Sequence, residues 1–278
     1  MDPLWCGGGG GGFRSLEFQG RLYPSVSNDF EGQFFPSAVS QFSHPSFQRQ
    51  LGYFDRFCYQ GIPRSSSYPY QQFQDFEYFV VMDFEATCDK GKIIQPQEII
   101  EFPAVIVNAA TGQLEAYFQT YLRPTHNPKL TDFCKDLTGI QQIQVDAGVT
   151  LNEALVMFDE WLEKNGIKKT NFAVVTWGDW DCRVMLESEC QYKKIRKPSY
   201  FNKWINLKVS FREVFGNFRC DLKQGIEIAG LNWLGRPHCG LDDATNTAHL
   251  LVRLIQMGFK FSITESLTGE SNFIGKEQ

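Results

Sequence analysis

The residues of this 278-residue chain equipped for chemistry are Asp83 and Glu85 in V-V-M-D-F-E-A-T-C, Asp181 in W-G-D-W-D, and His238 and Asp243 in R-P-H-C-G-L-D-D. Four carboxylates brought to one point offer hard oxygen ligands, which suit Mg²⁺ or Mn²⁺. A histidine beside them can take a proton from water, because the ordinary imidazole pKa of about 6.5 lies close to neutral pH. Such a set is equipment for metal-assisted hydrolysis of a phosphodiester bond.

Each group also has an ordinary alternative. Asp83 and Glu85 stand two apart at the end of an apolar run, and a period of two points both side chains the same way. Two acids meeting solvent at a strand end would look the same. Asp181 opens a predicted helix, where aspartate commonly serves as N-cap or first-turn partner of the helix dipole. Asp242 and Asp243 begin another helix, and Asp242 is assigned the cap. Asp179 reads as a loop acid. His238 is expected to be exposed in its loop and His249 to be structural, while His44 and His126 lie in polar irregular stretches and attract no role.

The elements that must position these groups follow from hydrophobic patterning. Tyr78–Asp83 is a continuous apolar run suited to a strand buried on both faces. Ile99–Val107 is a second strand, stopped by the turn signal Asn108-Ala-Ala-Thr-Gly112. Ala116–Leu122 alternates and ends at Arg123-Pro124, giving a third strand and an antiparallel meander. Phe172–Trp177 and Trp204–Leu207 are a fourth and a fifth. Helices are predicted at Leu151–Leu162, where Leu151, Leu155, Phe158 and Leu162 share a face. Others fall at Asp181–Tyr192, Leu222–Leu231 and Ala244–Met257, the last closed by Gly258. The order predicts an α/β fold of three layers, α/β/α, around a mixed five-stranded sheet.

Composition sets the boundaries. Residues 1–75 contain no lysine and carry sixteen Phe, Tyr or Trp against seven Leu, Ile or Val. With the Gly7–Gly12 run and the Ser65–Ser67 triplet, this segment reads as disordered and aromatic-rich, since few branched aliphatics leave too little burial to offset ordering entropy. Its ordinary alternative to a self-associating role is a passive tail. A globular domain is expected over residues 76–265, with a flexible tail at 266–278. The net charge of −5 argues against a bulk polyanion binder. Acidic metal ligands themselves add negative charge that bound cations reverse locally, so a local nucleic-acid grip stays open. The eight cysteines are scattered with no C-x-x-C pair, which disfavours a structural zinc site and fits reduced thiols. No apolar leader or 18-residue apolar run is present, so membrane spanning and secretion are disfavoured. A cytoplasmic or nuclear location is expected. Organellar import is disfavoured by Asp2, Glu17, Asp29 and Glu31.

The order D-x-E, then D, then H-x-x-x-x-D, each at the edge of an element in one α/β layout, resembles the DEDDh branch of the DEDD 3′-to-5′ exonuclease superfamily. The tyrosine branch would carry tyrosine four residues before the last aspartate, where Cys239 stands. The phrases D-F-E-A-T-C (83–88), E-I-I-E-F-P (98–103), L-T-G-I (137–140), K-W-I-N-L (203–207) and G-R-P-H-C-G-L-D-D (235–243) are similar to the Eri-type exoribonucleases, the group that includes the histone-mRNA exonuclease. The resemblance covers about Phe76 to Lys260. It does not extend to the SAP-type module or the C-terminal zinc finger of some relatives, so stem-loop specificity is not carried over.

The resemblance implies a ribonuclease H-like fold and removal of nucleoside 5′-monophosphates from single-stranded RNA or RNA 3′ overhangs. It implies two Mg²⁺ ions, or Mn²⁺, about 3.5–4 Å apart. Asp83 would bridge both, Glu85 and Asp243 would hold the ion that binds the attacking water, Asp181 would act on the other, and His238 would accept the proton. Phe84 and Ala86 would contact the terminal nucleotide. Trp204 and Trp233 are candidate base platforms, with core packing the alternative. Lys203, Lys208 and Arg236 are candidate phosphate contacts. Two other readings stand beside this one: an RNA-binding adaptor on an inactive nuclease fold, supported by the aromatic, glutamine-containing N-terminus, and a 3′-5′ DNA exonuclease with the same chemistry.

Overall fold

The apolar run Tyr78–Met82 forms β1, with Phe79, Val80, Val81 and Met82 all fully buried. A strand buried on both faces must lie between two layers. Val80 and Met82 pack on one side with Phe102, Ile106, Leu155, Phe158 and Leu162. Phe79 and Val81 pack on the other with Val105, Ala244, Ala248, Leu251 and Leu254. The expected α/β/α sandwich is therefore what this computed structural model shows. It describes residues 73–217 and 219–267. The expected N-terminal segment lies outside the described residues except at its end, where the Gln74 side chain bonds Phe259 O at 2.8 Å and Phe261 N at 2.9 Å.

Among the described residues the sheet is mixed and has seven strands. It joins β1, β2 (Glu85–Ala86), β3 (Ile99–Asn108), β4 (Leu114–Tyr121), β5 (Phe172–Thr176), β6 (Lys203–Asn206) and β7 (Glu265–Ser266). The order is β2-β3-β1-β5-β6-β7, with β4 also paired to β3. β1 runs antiparallel to β3 and β3 to β4, which is the expected meander, while β5 and β6 add parallel to β1. The expectation of five strands is corrected by β2 and β7, each of two residues. Two residues are too few for an alternation to register in the sequence. β7 also brings Ser266, expected in the tail, into register with Lys203.

The α-helices among the described residues are α1 (Asp132–Thr138), α2 (Gln142–Asp146), α3 (Leu151–Lys164), α4 (Glu187–Lys193), α5 (Leu207–Phe215), α6 (Leu222–Ile228) and α7 (Gly240–Gln256). α3 begins with a reciprocal capping box between Thr150 and Glu153. The single helix expected over Asp181–Tyr192 is instead a wide π-helical stretch, Trp180–Leu186, leading into α4. α7 starts earlier than expected, at Gly240, and its N-cap is Cys239 without a side-chain bond. Asp242 is therefore not the cap. Its Oδ2 accepts the Arg236 N–H at 2.8 Å and braces the preceding loop. Among the described residues, no helix is long and apolar enough to cross a membrane.

One buried ion network ties α4 to the sheet. Fully buried Glu98, just before β3, accepts the N–H groups of Thr125 at 2.7 Å and of His126 and Asn127 at 2.9 Å. Lys193 at the end of α4 reaches Glu98 at 2.8 Å and Glu189 at 2.7 Å.

Candidate active site

Asp83 follows β1 directly, at the end of the sheet where the parallel strands β5 and β6 also finish. The chain then steps into β2, where Glu85 pairs with Glu101 of β3. Phe84 turns its ring into the core, 4.8 Å from that of Phe102, so only its backbone faces the site. Asp181 enters from the first turn of the π-helical stretch that follows β5, and its Oδ1 accepts the Phe84 N–H at 2.8 Å. The two acidic segments are thus joined by a buried bond across adjacent strands.

The third segment is the loop before α7. Asn246 accepts the Leu234 N–H at 3.0 Å and donates to Leu234 O and Asp242 O, both at 2.8 Å. Gly235 has φ +73, and a Cβ there would meet the Asp242 carboxyl at 2.3 Å, so the turn needs glycine. The loop ends at exposed His238, held at φ 62 in the left-handed region that side chains other than glycine seldom adopt. The His238 N–H donates to Asp243 Oδ2 at 3.0 Å.

These elements bring ligand atoms of Glu85, His238 and Asp243 within 4.8 Å of one another. Asp83 lines the same cleft, of about 240 Å³, together with Ala86, Leu137 and Trp180. Asp181 sits behind it, 5% exposed. The electrostatics are those of acids crowded without a counter-charge. Burial, then Asp181, Asp243, Glu85 and Glu101, hold the Asp83 carboxyl well above its ordinary value. Burial, then Asp243, Glu101 and Asp181, push Glu85 up to about 9. Burial raises Asp181 to about 7 and Asp243 to about 7. A divalent cation reverses that balance. The donor set fits one, being hard oxygens plus an imidazole, and Asp243 Oδ1 is buried without a hydrogen-bond partner.

The outer candidates separate. Trp204 is not a base platform: it is fully buried, its Nε1 donates to Asp179 Oδ1 at 3.1 Å, and the Arg183 guanidinium stacks 5.1 Å from its ring centroid. Lys203 does not reach the site. Through the pairings Trp204 with Val174 and Val174 with Val80 it lies level with Phe79, roughly 13 Å short of Asp83 at the usual rise per residue. Trp233 is half-buried against the core. Lys208 lies beyond the end of β6, on the site's edge of the sheet, 5.0 Å from the Trp177 ring centroid. Arg236 is exposed, and its guanidinium donates to Asp136 O at the end of α1. Leu137 and Trp180 carry no role in the sequence reading. The available signal was the place of Trp180 next to Asp181 in the sequence; the structure leaves its ring 38% exposed.

Fold and site together define a nuclease of the ribonuclease H-like, DEDDh class. Residues 80–251 match the Exonuclease family. The chain is 42% identical over 212 residues to 3′-5′ exonuclease Snipper of Drosophila melanogaster, which covers 70% of this chain and 75% of that protein. It is 43% identical over 197 residues to ERI1 exoribonuclease 3 of Homo sapiens, covering 69% of this chain and 57% of that one. The crystallographic nuclease domain of 3′hExo, a DEDDh family member bound to rAMP, matches with a TM-score of 0.67 and 38% identity over 69% of this chain and 98% of that one. The chain belongs to the Exonuclease family, whose DEDDh members depend on divalent metal, and it is an exonuclease.

Proposed function

We propose that this chain is a 3′-to-5′ exoribonuclease that releases nucleoside 5′-monophosphates from single-stranded RNA or RNA 3′ overhangs, with Mg²⁺ as the natural ion and Mn²⁺ as a substitute. The convergence of Glu85, His238 and Asp243 in a cleft that also presents Asp83 carries this reading. Asp83, Glu85 and Asp243 would hold the metal, with the Asp181 carboxyl behind them. Bound there, divalent ions activate water and neutralise charge on the phosphate and the departing 3′ oxygen.

The chain's own groups do the rest. His238 takes the proton of the attacking water, from a loop position that leaves its ring exposed to the cleft mouth. Trp180 and Leu137 offer apolar surfaces for the terminal base, and stacking grips any base without reading its edge. The backbone around Phe84 and Ala86 lies where a terminal sugar would be read, which is where a 2′-hydroxyl distinguishes RNA from DNA. Lys208, on the same sheet edge, is placed to meet a phosphate further along the strand.

RNA is favoured over DNA because one relative is named an exoribonuclease and a solved relative holds rAMP. Parallel digestion of a single-stranded RNA, its DNA counterpart and a stem-loop RNA tests this. Faster shortening of the single-stranded RNA is expected. Equal or faster shortening of DNA would refute the substrate assignment while leaving the chemistry intact.

A further inference from the structure

A fifth acid lies beside the four candidate ligands and takes no part in the chemistry above. Glu101 is 1% exposed and does not line the cleft, although it pairs with Glu85 across β2 and β3. A buried carboxylate next to other acids is costly unless its oxygens are satisfied. Here both are. Oε2 accepts the Gly240 N–H at 3.1 Å, and Oε1 accepts Gln119 Nε2 at 2.7 Å from the edge strand β4. Gly240 is the first residue of α7, so the carboxylate also faces the positive end of a 17-residue helix.

The contact is close because Gly240 allows it. A Cβ at that position would meet Asp83 O at 2.9 Å and Glu101 Oε2 at 3.1 Å. The start of α7 is thus seated directly on the backbone of the first acidic segment. His238 lies two residues before this seat and Asp243 three after it, so whatever fixes Gly240 fixes both.

We propose that Glu101 is a positioning residue for hydrolysis: its carboxylate anchors the N-terminus of α7 and thereby sets Asp243 and His238 against Asp83 and Glu85. This rests on the reading that the cluster binds a divalent ion. Groups that orient metal ligands typically change metal affinity or activity about 10- to 100-fold when removed. Glu101 acts by accepting a hydrogen bond, so Glu101→Gln, which keeps an acceptor, retains function, whereas Glu101→Ala does not.

The test measures Mn²⁺ binding to the metal-free full chain by electron paramagnetic resonance, together with kcat and KM on single-stranded RNA. Glu101→Ala should lose about 10- to 100-fold in Mn²⁺ affinity and in kcat, with KM for RNA within about threefold and Glu101→Gln close to wild type. A merely structural role would lower the melting temperature and the folded fraction but leave Mn²⁺ affinity per folded molecule unchanged, and that result would overturn the proposal. If the alanine variant does not fold, Gln119→Leu on the exposed strand removes one of the two bonds to Glu101. It should weaken Mn²⁺ binding severalfold, and unchanged binding would overturn the proposal equally. Absence of Mn²⁺ binding by the wild type would instead reject the metal-site reading itself, and the proposal with it.

Discussion

Asp181 Oδ1 accepts the backbone N–H of Phe84 at 2.8 Å, and this single buried bond joins the acid that follows β5 to the D-F-E segment that follows β1. The bond fixes which oxygen of Asp181 faces the cluster and holds Phe84 so that Asp83 and Glu85 flank it. Replacing the acid in two ways separates its roles. Asp181→Asn keeps an acceptor for Phe84 and should fold normally with little turnover. Asp181→Ala leaves a buried N–H unpaired and should also lose about 1–3 kcal/mol of stability. Chemical denaturation of both variants checks this, and equal stability would show that the bond does not matter.

Asp83→Asn and Asp243→Asn should abolish turnover while the chain stays folded. Each replaces a buried acid held above its ordinary value by a neutral amide, so the metal-free melting temperature should hold or rise. A metal-free melting temperature that drops sharply would show the acids to be structural rather than ligands.

Stability should depend on pH in an unusual direction. Glu85 is held at about 9 and Asp181 and Asp243 at about 7, all above the value near 4 of an unfolded carboxyl. From about pH 4 upward the metal-free folded chain therefore binds more protons than the unfolded chain, and stability falls as pH rises through 7 and on toward 9. Glu98 runs the other way. Burial alone would raise it, but Lys193 and the N–H groups of Asn127, Thr125 and His126 outweigh burial and hold it at about 2. Its contribution is complete above about pH 4.5 and is lost only as pH falls through 2. Melting temperatures in EDTA should thus decline between pH 5 and pH 9, and the gap to the Mg²⁺ curve should widen. A metal-free curve that rises across that window would contradict the cluster's assignment.

Two tryptophans, Trp180 at the start of the π-helical stretch and Trp204 in β6, should respond oppositely. Trp180→Ala should leave stability nearly unchanged and lower kcat/KM by about 5- to 150-fold, the equivalent of one stacked base at about 1–3 kcal/mol. Trp204→Ala removes a fully buried ring and should cost about 3–5 kcal/mol of stability. Thermal denaturation beside steady-state kinetics distinguishes them, and a Trp180 variant with unchanged kcat/KM would remove it from the substrate path.

The five longer strands and the meander of the first three were legible because burial on two faces writes long apolar runs such as Tyr78–Met82 and Ile99–Asn108, whereas the parallel placement of β5 and β6 beside β1 was not read from them. The acids were legible because each sits where a strand or helix ends. What escaped had no periodic signature. β2 and β7 are two residues long, and the π-helical winding at Trp180–Leu186 leaves the spacing of apolar residues almost unchanged. The misplaced outer contacts have another cause. Trp204 and Lys203 are neighbours in a phrase shared with relatives, but β6 places one in the core and the other at the far end of the sheet. Sequence names the residue types; only pairing register says which end of a strand they occupy. Glu101 shows the same limit, since nothing in E-I-I-E-F-P indicates that its second glutamate reaches Gly240.

Metal-dependent hydrolysis beginning at a 3′ end leaves a characteristic set of products, and product analysis reads it without ambiguity. A 5′-labelled single-stranded RNA would be incubated with the wild type and with His238→Ala, in Mg²⁺ and in EDTA, and the products resolved by length and by the position of their phosphate. A ladder shortening from the 3′ end with release of nucleoside 5′-monophosphates is expected in Mg²⁺, none in EDTA, and a rate about 10²–10⁴-fold lower for the histidine variant. Internal cuts, 3′-monophosphate products, or the same ladder in EDTA would contradict it.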